Sequence, residues 1–175
     1  NHDMGCEIKP GTAHSRETKL NNFFPPSRFD SNPLYSYGGN LDNRSDNYYL
    51  KFRGSGMKFL ILSLEFKPRD EAIEWANKVI ASHPKHQCII VTHAYLMNSG
   101  QRYKEIGYDV EGNGGEDMWQ KLVSQHENIF MVLCGHTAPN TRLTSKGVNG
   151  NEVHQLLADF QGEKGGQGYL RIMTF

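Results

Sequence analysis

Met57-Lys-Phe-Leu-Ile-Leu-Ser-Leu-Glu65 and Cys88-Ile-Ile-Val-Thr92 are short apolar runs, and between them Ala72, Ile73, Ala76, Val79, Ile80 and His83 recur at helical spacing until Pro84. Runs of this length, rich in aliphatic and β-branched residues, read as strands; the second has the continuous pattern of a strand buried on both faces. The segment between them reads as one amphipathic helix over roughly Arg69 to His83, stopped by the proline. Toward the amino terminus, Tyr48-Tyr-Leu-Lys-Phe-Arg53 followed by Gly54-Ser-Gly56 makes a hairpin with the first run. Toward the carboxyl terminus, Met118, Trp119, Leu122, Val123 and His126 mark a second helix, and Ile129-Phe-Met-Val-Leu-Cys134 marks another buried strand. Strand, helix, strand, helix, strand implies parallel crossovers with helices covering the sheet.

The remainder reads as antiparallel β structure. Thr141 to Ser145 is one strand, Gly147-Val-Asn-Gly150 a turn, Val153 to Phe160 a second strand, Gly162 to Gly168 a turn and Tyr169 to Phe175 a last strand. Residues 1–47 are polar and punctuated by Pro25-Pro26, Asn32-Pro33 and Gly38-Gly39, so they read as a long loop region with at most short helical pieces. A loop of that length is more often a binding rim than filler, and Phe23, Phe24, Phe29, Tyr35 and Tyr37 give it anchors that mostly pack. The fold class is therefore mixed α/β, and residues 1–175 form one domain or one piece of one.

Composition narrows the function. Among 175 residues, 19 Lys and Arg balance 19 Asp and Glu, so there is no broad cationic footprint for duplex nucleic acid. The most apolar stretch, Met57 to Phe66, is interrupted by Lys58, Ser63 and Glu65 and falls short of the ~20 residues of a spanning helix, so a soluble, non-membrane chain is expected. Cys6, Cys88 and Cys134 cannot all pair within the chain, and the last two lie in apolar runs, which makes them buried free thiols. That points weakly to a reducing compartment. Localisation is otherwise unconstrained, because the sequence opens Asn-His-Asp and an upstream signal lies out of view.

In open α/β sheets ligands collect beyond the carboxyl ends of parallel strands. The first strand here ends at Glu65, the second is followed by His93 and the third by Gly135-His136. Two histidines in the same topological position, at the tips of neighbouring strands, suit one shared metal ion or a catalytic pair. His14, His83, His86 and His126 read singly as capping or surface residues. Gly135 is expected to allow close backbone approach, and Thr92 or nearby carbonyls to hold an imidazole in one tautomer. Gly112-Asn-Gly-Gly115 matches neither phosphate-binding glycine fingerprint and reads as the lead-in to a helix.

With those histidines in place, Asn1-His2-Asp3 resembles the Gly-Asn-His-Asp/Glu block of the calcineurin-like metallophosphoesterases. Val91-Thr-His-Ala-Tyr95 and Val132-Leu-Cys-Gly-His-Thr137 resemble the family's two later histidine blocks in the correct order. Leu64-Glu-Phe-Lys-Pro-Arg-Asp-Glu71 also looks like bacterial members, so the likeness covers essentially the whole chain. The resemblance implies two stacked mixed sheets flanked by helices, and metal-dependent hydrolysis of phosphomonoesters or phosphodiesters. It makes Asn1, His93 and His136 ligands of one divalent ion (Zn, Mn, Fe or Ni; one or two ions per site). It makes His2 the histidine that contacts the phosphoryl oxygen or protonates the leaving group, with Asp3 orienting its imidazole.

The departures matter as much. The family's Asp-x-His and Gly-Asp-x-x-Asp blocks do not precede Asn1, so the resemblance implies a carboxyl-terminal part lacking the ligands of the first metal. The usual Gly-His-x-His reads Gly135-His136-Thr137-Ala138, with His154 a candidate neighbour of the site or a plain strand histidine. Two other readings stand beside the hydrolase. One is a truncated, non-catalytic half-domain that acts by assembling with itself or a partner chain. The other is a lyase or oxygenase site of two histidines and a carboxylate, which has no use for an Asn ligand followed by an acid/base histidine. The expected partners are a small phosphate-ester substrate and either a second copy or the missing amino-terminal segment. Specificity would lie in residues 4–47 and 97–115.

Overall fold

The protein is described by a computed structural model covering residues 1–29 and 32–174. In chain order these form α1 (Leu20–Phe23), β1 (Ser36–Asn40), β2 (Tyr48–Gly54), β3 (Met57–Ser63), α2 (Asp70–Ala81), β4 (Gln87–Val91), α3 (Gly115–Lys121), β5 (Ile129–Cys134), β6 (Asn140–Lys146) and β7 (Glu152–Ala158), with 3-10 turns at Pro26–Phe29 and Val123–Gln125. All seven strands join one sheet in the order β1-β2-β3-β4-β5-β7-β6. β3, β4, β5 and β7 run parallel, while β1, β2 and β6 are antiparallel to their neighbours. The fold is mixed α/β, as the sequence implied. Among the described residues there is one hydrogen-bonded sheet, and the second sheet implied by the family resemblance is not formed.

The crossovers explain where the core lies. Strand order advances in one direction from β3 to β4 to β5, and right-handed crossovers that advance in one direction put their helices on one side. Ile73, Ala76, Val79 and Ile80 of α2 and Met118 of α3 accordingly pack with Leu60, Leu62, Cys88, Ile90, Val132, Val153 and Leu157. Each such fully buried aliphatic side chain contributes roughly 1.5–3 kcal/mol. The expectation that helices cover the sheet is therefore met on one face only. Cross-strand register puts Leu50, Ile61, Ile89 and Met131 on the opposite face, where Phe52 stacks on Phe59 at 4.9 Å. Leu50, Ile61, Val91 and Leu133 there are half-buried.

Several boundaries differ from the sequence reading, each for a local reason. The helix expected over Arg69 to His83 is Asp70–Ala81, and the second helix ends at Lys121 because Leu122 leaves helical geometry (φ −139°, ψ −66°). β1 lies in the segment read as loop. Its Gly38-Gly39 pair disguises a strand whose missing Cβ makes room for the Tyr49 ring, since a Cβ on Gly38 would fall 2.0 Å from Tyr49 Cε2. The strand expected from Tyr169 is absent through residue 174, and Phe175 lies outside the described residues. Leu170 and Ile172 are 73% and 84% exposed, and the outer edge of β6 is left unpaired among the described residues.

Cys88 and Cys134 are buried free thiols, as expected. Burial pushes the Cys134 thiol up to about 11 and that of Cys88 higher still, so neither is a nucleophile near neutral pH. No helix among the described residues is long and apolar enough to cross a membrane.

The β2–β3 hairpin turns on Ser55 (φ 48°) and Gly56 (φ 79°), both left-handed, between the paired residues Gly54 and Met57. A two-residue turn with both φ positive favours Asn or Gly at its first position. Ser55→Asn is therefore expected to raise stability by about 0.5 kcal/mol, read as a higher denaturant midpoint with unchanged slope.

Candidate functional site

β4 and β5 are parallel neighbours with Val91 opposite Leu133, so the residues after each strand leave the sheet at the same end. The ladder continues past the strands, since Thr92 N–H donates to Leu133 O at 3.1 Å and Gly135 N–H to His93 O at 2.8 Å. This register places His93 Nε2 3.0 Å from His136 Nδ1, with ring centroids 4.8 Å apart. The turn that aims the second imidazole is made by His136 itself, which adopts φ 76°. A left-handed backbone at a non-glycine residue is sparsely populated and tends to persist at functional positions. Gly135 is not needed for close approach as the sequence suggested: a Cβ there would meet only Ala158 O at 3.6 Å and His93 Nδ1 at 4.0 Å.

Asn1 reaches the pair from a distant part of the chain. The opening segment is held by Gly5 N–H to Glu17 O and Gly11 N–H to Met4 O. Met4 and Ala13 pack with Phe66, Ala94, Ile106 and Val110 in a second apolar cluster beneath the strand ends. Anchored there, Asn1 Oδ1 lies 2.6 Å from His93 Nε2, while its Nδ2 donates to Tyr108 Oη at 2.9 Å and to Gly11 O at 3.4 Å. Three potential ligand atoms, Asn1 Oδ1, His93 Nε2 and His136 Nδ1, thus meet around one point. Burial drives the His93 pKa down to about 4 and lowers that of His136, with the Asn1 ammonium the next contributor to both shifts and neighbouring imidazoles after it. Both shifts favour the neutral ring. His93 Nε2 carries at most one hydrogen, which cannot satisfy Asn1 Oδ1 and His136 Nδ1 together, so lone pairs outnumber protons at the centre of the cluster.

The other residues singled out from sequence fall in different places. His2 is exposed at the rim, its ring edge-on to His93 with centroids 5.4 Å apart. Asp3 accepts from Thr18 Oγ1, and no hydrogen bond joins it to His2 among the described residues, so the orienting contact expected of it is not made. His154 lies on β7, exposed and bonded to Thr144 Oγ1 at 3.1 Å, as a plain strand histidine. Thr92 Oγ1 donates to Glu65 O at 3.5 Å and not to an imidazole. Among the described residues no three His, Cys, Asp or Glu side chains gather into a metal-holding group; the cluster is two imidazoles and an amide.

Sequence reasoning missed four neighbours. Phe66 packs against both imidazoles, with centroids 5.7 Å from His93 and 5.8 Å from His136; its place shortly beyond the end of β3 was a usable signal. Tyr103 and Tyr108 come from the loop before α3, which has no periodicity to announce them, and Tyr103 Oη bonds Thr137 Oγ1 at 2.6 Å. Asp159, just beyond β7, is the carboxylate whose charge opposes the lowering of both histidine pKa values. Beside the cluster opens a cavity of about 740 Å³ walled by Asn1, His93, Phe24, Phe29 and Phe66. Its three arginines are already engaged: Arg16 and Arg69 both pair with Glu65, at 3.4 and 2.9 Å, and Arg44 with Asp46 at 2.7 Å.

No protein-family model matches the chain. Over its whole length it is similar to a protein of Bacillus subtilis (strain 168) named Uncharacterized protein YvnB, with 34% identity across 182 aligned positions. The chain spans 13% of that protein's length.

The strain at His136 has a measurable sign. Glycine accepts φ 76° freely, whereas alanine in the left-handed region costs roughly 1–2 kcal/mol. His136→Gly is therefore expected to be about 1 kcal/mol more stable than His136→Ala in chemical denaturation, the reverse of their order in regular structure. Equal midpoints would mean that the backbone at residue 136 is unstrained.

Proposed function

We propose that this chain is a calcineurin-like metallophosphoesterase that hydrolyses phosphomonoesters or phosphodiesters, with a divalent ion held by Asn1, His93 and His136. The observation that carries the reading is the convergence of Asn1 Oδ1, His93 Nε2 and His136 Nδ1 from three separate segments, with more lone pairs than protons among them. Two neutral nitrogens and one amide oxygen suit Zn²⁺ or Mn²⁺, Fe or Ni, and three protein ligands leave the open position that a hydrolytic ion needs. Such an ion, when bound, supplies Lewis-acid polarisation of a phosphoryl oxygen and a water of lowered pKa.

The chain's own residues support that chemistry in distinct ways. Burial favours the neutral form of His93 and His136, in which one nitrogen of each ring has a lone pair to offer a cation. Phe66 closes one side against water. His2, exposed beside His93, is in position to carry a proton to a leaving-group oxygen on the solvent side. The cavity next to Asn1 and His93 offers room for the ester's organic portion.

A second reading, assembly with another copy or a partner chain, rests on the sheet face that α2 and α3 do not cover, where Phe59, Ile89 and Met131 are buried but their neighbours are not. Its half-buried Leu50, Ile61, Val91 and Leu133 would gain ~2.5 kcal/mol for each 100 Å² covered, before the costs of association. Assembly is compatible with hydrolysis, and sedimentation at micromolar concentration is expected to give a species larger than one 175-residue chain. A stable monomer across that range would remove this second reading.

For the enzyme, turnover of a chromogenic phosphodiester is expected to require added Mn²⁺ or Zn²⁺ and to stop with a chelator. His2→Ala should lower turnover by ~10²–10⁴-fold while bound metal stays constant. His93→Ala and His136→Ala should lose the metal itself. Equal metal content in the parent and both of these variants would sink the assignment.

A further inference from the structure

An asparagine ligand has two chemically different ends, and only its oxygen can serve a cation. The amide nitrogen of Asn1 is taken up by Tyr108 Oη at 2.9 Å and by Gly11 O at 3.4 Å, which leaves Oδ1 facing His93 Nε2 at 2.6 Å. Gly11 O can only accept, so it sets the sense of the amide; the shorter bond to Tyr108 sets its place.

Tyr108 is itself held from two sides. Its ring meets Phe66 edge-on, with centroids 5.1 Å apart and planes at 88°. Its carbonyl and that of Ile106 each accept from Lys67 Nζ at 3.3 Å. Lys67 is only 9% exposed, sits at φ 46° directly after Phe66, and has no carboxylate within ion-pair distance among the described residues. A buried ammonium spent on two loop carbonyls is a costly arrangement that secures this short segment.

We propose that Tyr108 is a positioning residue that holds the Asn1 amide oxygen on the two-histidine cluster, so that its hydroxyl governs metal affinity without touching the metal. The inference rests on the metal site put forward under Proposed function. A cation on Oδ1 draws electron density from the amide and makes Nδ2–H a better donor, so the bond to Tyr108 strengthens when the ion binds. Partners that orient metal ligands in this way typically change affinity by about 10–100-fold when removed.

The test is Co²⁺ titration of the intact chain, followed by visible absorption and calorimetry, on a double-mutant cycle. Tyr108→Phe is expected to weaken Co²⁺ binding by at least about tenfold while leaving the metal-free unfolding midpoint unchanged. In an Asn1→Asp background either end of the side chain is an oxygen, so there Tyr108→Phe should cost at most about twofold. Unchanged affinity in Tyr108→Phe overturns the proposal. An equal loss in both backgrounds also overturns it, since that would mark a general structural role. If the parent chain binds no Co²⁺, the metal reading fails first and the inference fails with it; that outcome is visible in the parent alone.

Discussion

The parallel pairing of β4 with β5 is the constraint on which the rest depends. Parallel neighbours end at the same edge of a sheet, and the register Val91 opposite Leu133 continues through two further backbone hydrogen bonds before the chains diverge. His93 and His136, 43 positions apart, are thereby brought to 3.0 Å. A register slip of one residue would turn either side chain to the other face. The slip is opposed by the helix-side core, where Cys88, Ile90 and Val132 would leave the places that α2 and α3 cover.

Around that edge the loops are fastened more by polar bonds than by apolar burial. Arg16 joins the opening segment to Glu65 and to the carbonyls of Phe66, Lys67 and Glu111. Gln155, fully buried on β7, accepts from Tyr95 Oη at 3.2 Å and from Arg102 Nε at 2.7 Å, and the Arg102 guanidinium lies 3.9 Å from the Trp119 ring centroid. Arg102 thus pins the segment that carries Tyr103 and Tyr108 to β7 on the helix-covered face of the sheet. Networks of this kind are stable only when complete, because an orphaned buried partner costs about 1–3 kcal/mol. The site is therefore built from loops that behave as extensions of the sheet.

The site also concentrates unfavourable terms. His136 holds a left-handed backbone, Lys67 places an ammonium under a loop, and both imidazoles lose their hydration. None of these helps the sheet fold. They surround one feature, the two imidazoles and the Asn1 amide gathered at the strand ends.

Local pattern alone determined the parallel strands β3, β4 and β5, the helix α2, the hairpin turn at Ser55-Gly56 and the free thiols, because each follows from periodicity or turn chemistry within a few residues. It also determined that His93 and His136 share an edge, since both directly follow buried strands. The place of Asn1 beside the two histidines was implied by the family resemblance and not by local pattern, and tertiary structure alone decided that Asp3 turns to Thr18, that Tyr108 and Lys67 stand behind Asn1, and that Tyr169 to residue 174 form no strand. Those outcomes depend on contacts across as many as 107 positions, between segments that carry no repeat of their own. Side-chain hydrogen bonds between irregular loops leave no period in a sequence, and whether a strand forms depends on its pairing with a neighbour as well as on its own residues.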